Sequence, residues 1–157
     1  MVIIKKQNML VLIVENSKDP ELKRIPNRLN TLRRIVGNEN IEVIKDKIMV
    51  LPQNYNFDVK GLQILRAGVI LGEIVKNRIE PHHSAFTAAK KENCKSAVDF
   101  DVNSKEIAAY LHGEEIAVSQ DVKGYTAVCV NGITTGFGKA SNSRLKNKYP
   151  KGLRILR

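Results

Sequence analysis

From Gly132 to Arg154 the chain reads GITTGFGKASNSRLKNKYPKGLR, and the Gly138-Lys139 step raises the chemistry of a phosphate cradle. A P-loop needs Gly, four residues, then Gly-Lys-Ser/Thr, so that successive amides and the lysine surround the phosphates and the hydroxyl reaches Mg²⁺. Here Ile133 stands where the first glycine belongs and Ala140 where the hydroxyl belongs. The dinucleotide fingerprint fails as well, because Asn131-Gly132 makes the preceding strand half of a hairpin instead of the entry to a βαβ unit. Gly136 and Gly138 therefore read as places where a strand bends. The phosphate chemistry lies in the cations that follow. From Lys139 to Arg157 there are seven, Lys139, Arg144, Lys146, Lys148, Lys151, Arg154 and Arg157, and no acid. Ser141, Asn142, Ser143, Asn147 and Tyr149 stand among them as hydrogen-bond donors, and Tyr149 also offers a ring for stacking. A solvated tail would not need Leu145, Pro150, Leu153, Ile155 and Leu156, so this segment reads as ordered. Arg66, Lys76 and Arg78 join it if the strands come together.

Residue types suited to catalysis are present without a convincing arrangement. His82-His83 falls at a helix start, where adjacent side chains diverge and no ligand follows four residues later. These histidines read as surface or capping residues, and His112 as a residue favoured at a helix C-terminus. Asp99 and Asp101 flank Phe100 and read as loop-edge acids. Cys94 and Cys129 form no CxxC pair, and Cys129, inside YTAVCV, reads as a packed, inert thiol. No GxSxG elbow occurs. We expect no catalytic residue, no metal and no cofactor.

The 26 Lys plus Arg against 16 Asp plus Glu leave a net charge of +10 on 157 residues, a field that favours polyanions over acidic small substrates. With 43% apolar and 27% charged residues the chain is neither disordered nor a membrane protein. No apolar run approaches the roughly 18 residues of a membrane span. MLVLIV is too short for a signal-peptide core, so the expected location is cytoplasmic.

Elements must position the cations. VIIKK and MLVLIVE read as short strands, Asp19-Pro20 as a helix start, and Leu29, Leu32, Ile35 and Val36 as one face of a second helix ended by Gly37. IEVIKDKIMVLP reads as a hairpin turning at Lys45-Asp46. Gly68 and Gly72, inside a β-branched run, signal a bulge, a corner or close approach of another backbone. A helix of about three turns is expected after Pro81, followed by a loop. NSKEIAAYLHG is the best-capped helix, with Asn103 as cap, Glu106 as capping-box partner and Gly113 as stop. YTAVCV and ITTGFGKA flank Asn131-Gly132 as a hairpin. Many short strands and modest helices give an α+β class, a small pseudo β-barrel decorated by helices. We expect residues 1–46 to form a strand-helix-hairpin extension and residues 47–157 the main domain.

LQILRAGVILGEIVKNRIEPHHSA, AAYLHGEEI and GYTAVCVNGITTGFGKASNSRLKNKYPKGLR together resemble the C-terminal, PUA-like RNA-binding region of bacterial RsmF-type rRNA cytosine-5 methyltransferases of the Sun family. GFGK followed closely by LKNKYPKGLR is the most specific piece. EPHHSA departs slightly from the expected serine-histidine order, and the first 46 residues match only loosely. The resemblance implies a pseudo-barrel that grips structured RNA between a helix and a strand, beside a methyltransferase using S-adenosylmethionine. By motif it implies RNA-facing or locally ordered roles for Arg66, Arg78, Lys139, Lys146, Asn147, Tyr149, Lys151 and Arg154, to which the charge pattern adds Arg144. Methyl transfer is not carried over. The chain shows no glycine-rich S-adenosylmethionine loop and no Pro-Cys, since Cys94 follows Asn93 and Cys129 follows Val128.

The expected function is thus a non-catalytic module that recognises structured RNA, rRNA or tRNA, and positions a Sun-family methyltransferase domain in cis or in trans. The alternative is a small protein-interaction or ribosome-assembly factor whose basic face meets an acidic partner.

Overall fold

The computed structural model of the protein describes residues 41–51, 68–76 and 78–155. The strands expected in the first 15 residues, the helices expected after Asp19-Pro20 and Pro26, and Arg66 lie outside the described residues. Two sheets and a few short helices make up the rest, an α+β architecture.

The first sheet is antiparallel, with β1 (Ile41–Ile44), β2 (Lys47–Val50), β3 (Val69–Val75) and β4 (Arg78–Pro81) in spatial order β1-β2-β3-β4. Its first hairpin turns where the sequence says, with Lys45 at φ 48° and Asp46 at φ 65°, the double positive φ of a type I′ turn. Opposite β2 the pairing jumps from Ile48↔Gly72 to Met49↔Ile70, so Leu71 is the extra residue of a bulge. Gly68 answers the other expectation, because a Cβ there would collide with the Val50 carbonyl oxygen. Ile41, Ile48, Leu71 and Ile79 form the core of this sheet.

The helix expected after Pro81 is shorter and starts later. Pro81 is the last residue of β4, an edge strand, where the missing N–H is tolerated. Helix α1 covers only His83–Thr87, with His82 as its cap. Its end tightens where the Ala89 amide donates to the Phe86 carbonyl at 2.9 Å, three residues back, and a 3₁₀ turn follows at Lys91–Asn93. Short as it is, α1 fastens the two sheets together: Ala85 belongs to the first core, while Phe86 stacks on Phe137 of the second sheet, centroids 4.4 Å apart and planes 5° off parallel.

The second sheet is mixed. It contains β5 (Ala97–Phe100), β6 (Ile116–Ala117), β7 (Gly124–Val130), β8 (Ile133–Ser141) and β9 (Arg144–Asn147), in order β5-β7-β8-β9-β6. Only β5 and β7 are parallel, and α2 (Lys105–His112) lies in the crossover that such a pair requires. The sequence shows β5 as loop, since four residues beginning at Ala97 carry too little pattern. Nor does it show β9 as a strand. The N-cap of α2 is Ser104, not Asn103: the Asn103 amide donates to Asp101 Oδ1 at 2.8 Å in an Asx turn, and Ser104 Oγ accepts from the Ile107 amide at 3.3 Å. Glu106 consequently sits one position early for a capping box. Gly113, left-handed at φ 96°, ends the helix as expected.

Candidate nucleic-acid interface

The geometry of the basic region is set by one residue in β8. From the Asn131-Gly132 turn, Val130 pairs with Ile133 and Cys129 with Thr134, but Val128 pairs with Gly136. Thr135 is therefore the extra residue of a bulge. Because side chains alternate across a strand, one added residue exchanges the faces of everything beyond it. Beyond the bulge, Phe137 and Lys139 share one face with Ala127 and Tyr125, their partners on β7. Gly138 and Ala140 take the other face. There Ile107 and Tyr110 of α2 pack with Ile116, Val128, Ala140 and Leu145.

The bend expected at Gly136 and Gly138 is thus a bulge beside Gly136, and both glycines serve close packing. A Cβ on Gly136 would meet the Tyr110 hydroxyl at 2.5 Å, and one on Gly138 would overlap the Leu145 side chain.

On the first face, α1 covers Phe137 and leaves the next row uncovered. Tyr125, Lys139 and Lys146 stand side by side on β7, β8 and β9, with Lys139 paired directly to both neighbours. Lys139 Nζ lies 5.6 Å from the Tyr125 ring centroid, a cation–π contact, and the Tyr125 ring in turn leans on Phe137 at 6.1 Å. Among the described residues neither Lys139 nor Lys146 meets a carboxylate. Like charges directly opposite on adjacent strands are mutually unfavourable, so this pair stores repulsion that an anion would relieve.

Two arginines flank the row and are partly neutralised. Arg144 Nε donates to Glu115 Oε1 at 3.2 Å, and Arg78, on β4, pairs with Glu80 at 2.9 Å while its side chain stays 65% exposed. Burial raises the Tyr125 hydroxyl pKa, the Glu80 carboxylate raises it further, and Arg78 opposes them. The first sheet therefore brings Arg78 and Glu80 electrostatically close to the row.

The rest of the segment has a different character. Asn147 Nδ2 donates to the carbonyls of Tyr110 at 2.8 Å and Glu114 at 2.9 Å, while its Oδ1 accepts from the Tyr149 amide at 2.7 Å. That amide side chain ties β9 to the end of α2. Tyr149 is half-buried, edge-on to His83 at 5.4 Å and tilted on Tyr110 at 5.3 Å. Arg154 lies where a Cβ on Gly113 would go, its Nη2 donating to the Tyr149 carbonyl at 3.4 Å. A guanidinium at the C-terminus of α2 complements the helix dipole. Lys151 is exposed at the start of a 3₁₀ turn. Of the expected apolar anchors Leu145 is fully buried, but Leu153 and Ile155 are 55% and 54% exposed. Hydrogen bonds, more than apolar contacts, hold the end of the segment.

Most of the residues suited to catalysis have structural partners, although His83 Nδ1 is buried with no hydrogen-bond partner among the described residues. His82 caps α1, its Nδ1 accepting from the Ser84 amide at 3.3 Å. Burial, and then its neighbour His82, lower the pKa of His83. Lys91 donates to Asp99 Oδ2 at 2.6 Å and the Gly132 amide to Asp99 Oδ1 at 3.0 Å, which together hold the Asp99 carboxyl below its usual range. Cys129 is fully buried with its thiol pKa raised by burial, as a packed thiol should be, and burial pushes Cys94 up to about 11. No group of three His, Cys, Asp or Glu among the described residues could hold a metal.

Two family models match the chain. Residues 97–155 match the model of the methyltransferase RsmF PUA domain, and residues 27–87 that of the RsmF rRNA methyltransferase first C-terminal domain. By these two domains the chain belongs to the C-terminal region of the RsmF family. The second sheet with α2 is the RsmF-type PUA domain, and the curled, mixed sheet satisfies the PUA-like expectation. The chain is 30% identical over 118 residues to ribosomal RNA small subunit methyltransferase F of Shewanella baltica (strain OS223), covering 73% of this chain and 24% of the relative. The namesake from Aliivibrio salmonicida (strain LFI1238) is 29% identical over 136 residues, 85% of this chain and 28% of the relative. The chain thus spans about a quarter of the length of the curated RsmF relatives it matches, and what it matches is their PUA and accessory region, not a catalytic domain. No described helix is long and apolar enough to cross a membrane.

Tyr125 is the residue that sequence reasoning missed. Counting back from the Asn131-Gly132 turn without a bulge puts it opposite Gly138, and only the extra residue at Thr135 brings it beside Lys139.

Proposed function

We propose that this chain is a non-catalytic RNA-binding module that grips structured RNA, rRNA in the first place and tRNA in the second, and positions a methyltransferase domain in cis or in trans. The observation that carries the reading is the pair Lys139 and Lys146, set opposite each other on adjacent strands with no carboxylate on either among the described residues. RNA backbone is the polyanion that best suits it, given the net charge and the RsmF-type PUA domain. In this reading Lys139, Lys146 and Lys151 meet phosphate directly, and Arg144 and Arg78 extend the contact once they exchange Glu115 and Glu80 for phosphate oxygens. Arg66 belongs to the same proposed surface on the strength of the motif. Asn147, Tyr149 and Arg154 hold the strand that presents the lysines. An rRNA partner would place the protein in the cytoplasm.

With about four to six phosphate contacts on partly single-stranded RNA, log K falls against log salt with a slope of roughly −3 to −4. Filter binding to rRNA fragments across salt concentrations tests this. A flat or absent response sinks the proposal.

A further inference from the structure

We infer that the Tyr125 ring is a stacking site for an unpaired base, with Lys139 as its movable cover. The inference rests on the RNA-binding reading and names the part of the RNA that the surface recognises: a loop or bulge instead of a continuous duplex. The ring is only half-buried, and it stands on the sheet face next to the area that α1 covers. Behind it lies a firm aromatic floor, because Phe137 leans on Tyr125 and is itself stacked on Phe86. Tyr125 therefore has little freedom to lose when a base arrives, which is what makes an aromatic side chain an efficient platform.

Its position among the cations completes the site. Lys139, across the strand pair, holds its ammonium over the ring, and no carboxylate among the described residues retains it there. A long, flexible lysine can swing from the ring to a phosphate of the incoming nucleotide at little cost. Lys146, the next residue along the row, supplies a second phosphate contact. A regular duplex hides its base faces in the stack and would meet only the lysines.

The experiment compares two RNAs of equal length and charge bound by the full chain: a hairpin with 2-aminopurine in its loop, and a fully paired duplex. Tyr125→Ala should weaken loop binding about tenfold and abolish the fluorescence change of 2-aminopurine, leaving duplex affinity and the salt slope unchanged. Tyr125→Phe should bind both RNAs like the parent, and Tyr125→Leu, which keeps apolar packing on Phe137, should behave like the alanine variant. If both RNAs bind with a Lys146-dependent salt slope and Tyr125→Leu leaves loop binding intact, the stacking site is overturned while RNA binding stands. If neither RNA binds, both readings fall.

Discussion

The C-terminal basic segment contains two regions that look alike in sequence and differ in structure. Lys139 and Lys146 face each other across β8 and β9 with no acid partner among the described residues. A few residues on, the Asn147 and Arg154 side chains spend hydrogen bonds on the chain itself, on the carbonyls of Tyr110 and Glu114 and on the backbone of Tyr149. Both regions carry cations and amides suited to RNA. The difference teaches that a polar side chain is available to a ligand only where the fold has not already claimed its hydrogen bonds, and that the claimed region makes the free one rigid.

The sharpest way to break this comparison is Asn147→Ala. It removes three hydrogen bonds that tie β9 to the end of α2, so stability should fall by about 2–4 kcal/mol, measured by urea unfolding. Folded protein should still bind RNA with the parental salt slope. If the slope fell and stability did not, Asn147 would belong with the lysines. Gly136→Ala should cost about 1–3 kcal/mol, because its Cβ would press on the Tyr110 hydroxyl and on Tyr149. Tyr110→Phe alone should cost about 1–2 kcal/mol, because the hydroxyl donates to the Phe137 carbonyl at 2.8 Å, but its added cost should be smaller in the Gly136→Ala background, where the same oxygen clashes.

Lys146→Ala inverts the pattern. Its thermal stability should stay within about 0.5 kcal/mol of the parent, while the salt slope of RNA binding becomes shallower by about one. The smallest expected effect is in pH. His83 has a lowered pKa because burial disfavours its charged form, so below the ordinary imidazole value of 6.5 the unfolded chain takes up a proton before the folded one does. Stability from this group is present above pH 6.5 and is lost as the pH falls toward the lowered folded value. His83→Gln should remove that part of the decline in melting temperature between about pH 7.5 and 5.5.

Much of this was legible in the sequence, and for physical reasons. The turns at Lys45-Asp46 and Asn131-Gly132 were readable because tight two-residue hairpins demand positive φ, which few residue types tolerate. Gly68 and Gly72 marked a close approach and a bulge for similar reasons. Other features depend on partners distant in sequence. β5 exists because β7 offers it a parallel edge, and four residues carry no signal for that. The helix after Pro81 ends early, with the Ala89 amide on the Phe86 carbonyl, and what Phe86 packs on is Phe137, about fifty residues away. The acid-free run of cations was plain, but which of them face outward depended on a bulge, and Thr135 gives no local sign of one.

That bulge has a consequence for how such a surface can change. Deleting Thr135 would leave Val128 opposite Gly136 and Tyr125 opposite Lys139 in a regular ladder, whereas keeping Thr135 and flattening the bulge would slide every later residue of β8 by one position and exchange the faces of the strand. In that flattened strand Lys139 would turn toward α2 and Ala140 toward the face that carries Tyr125. The bulge thus works as a parity bit for the whole surface: it absorbs one residue between the Asn131-Gly132 turn and Gly136 and keeps the same letters on the same face.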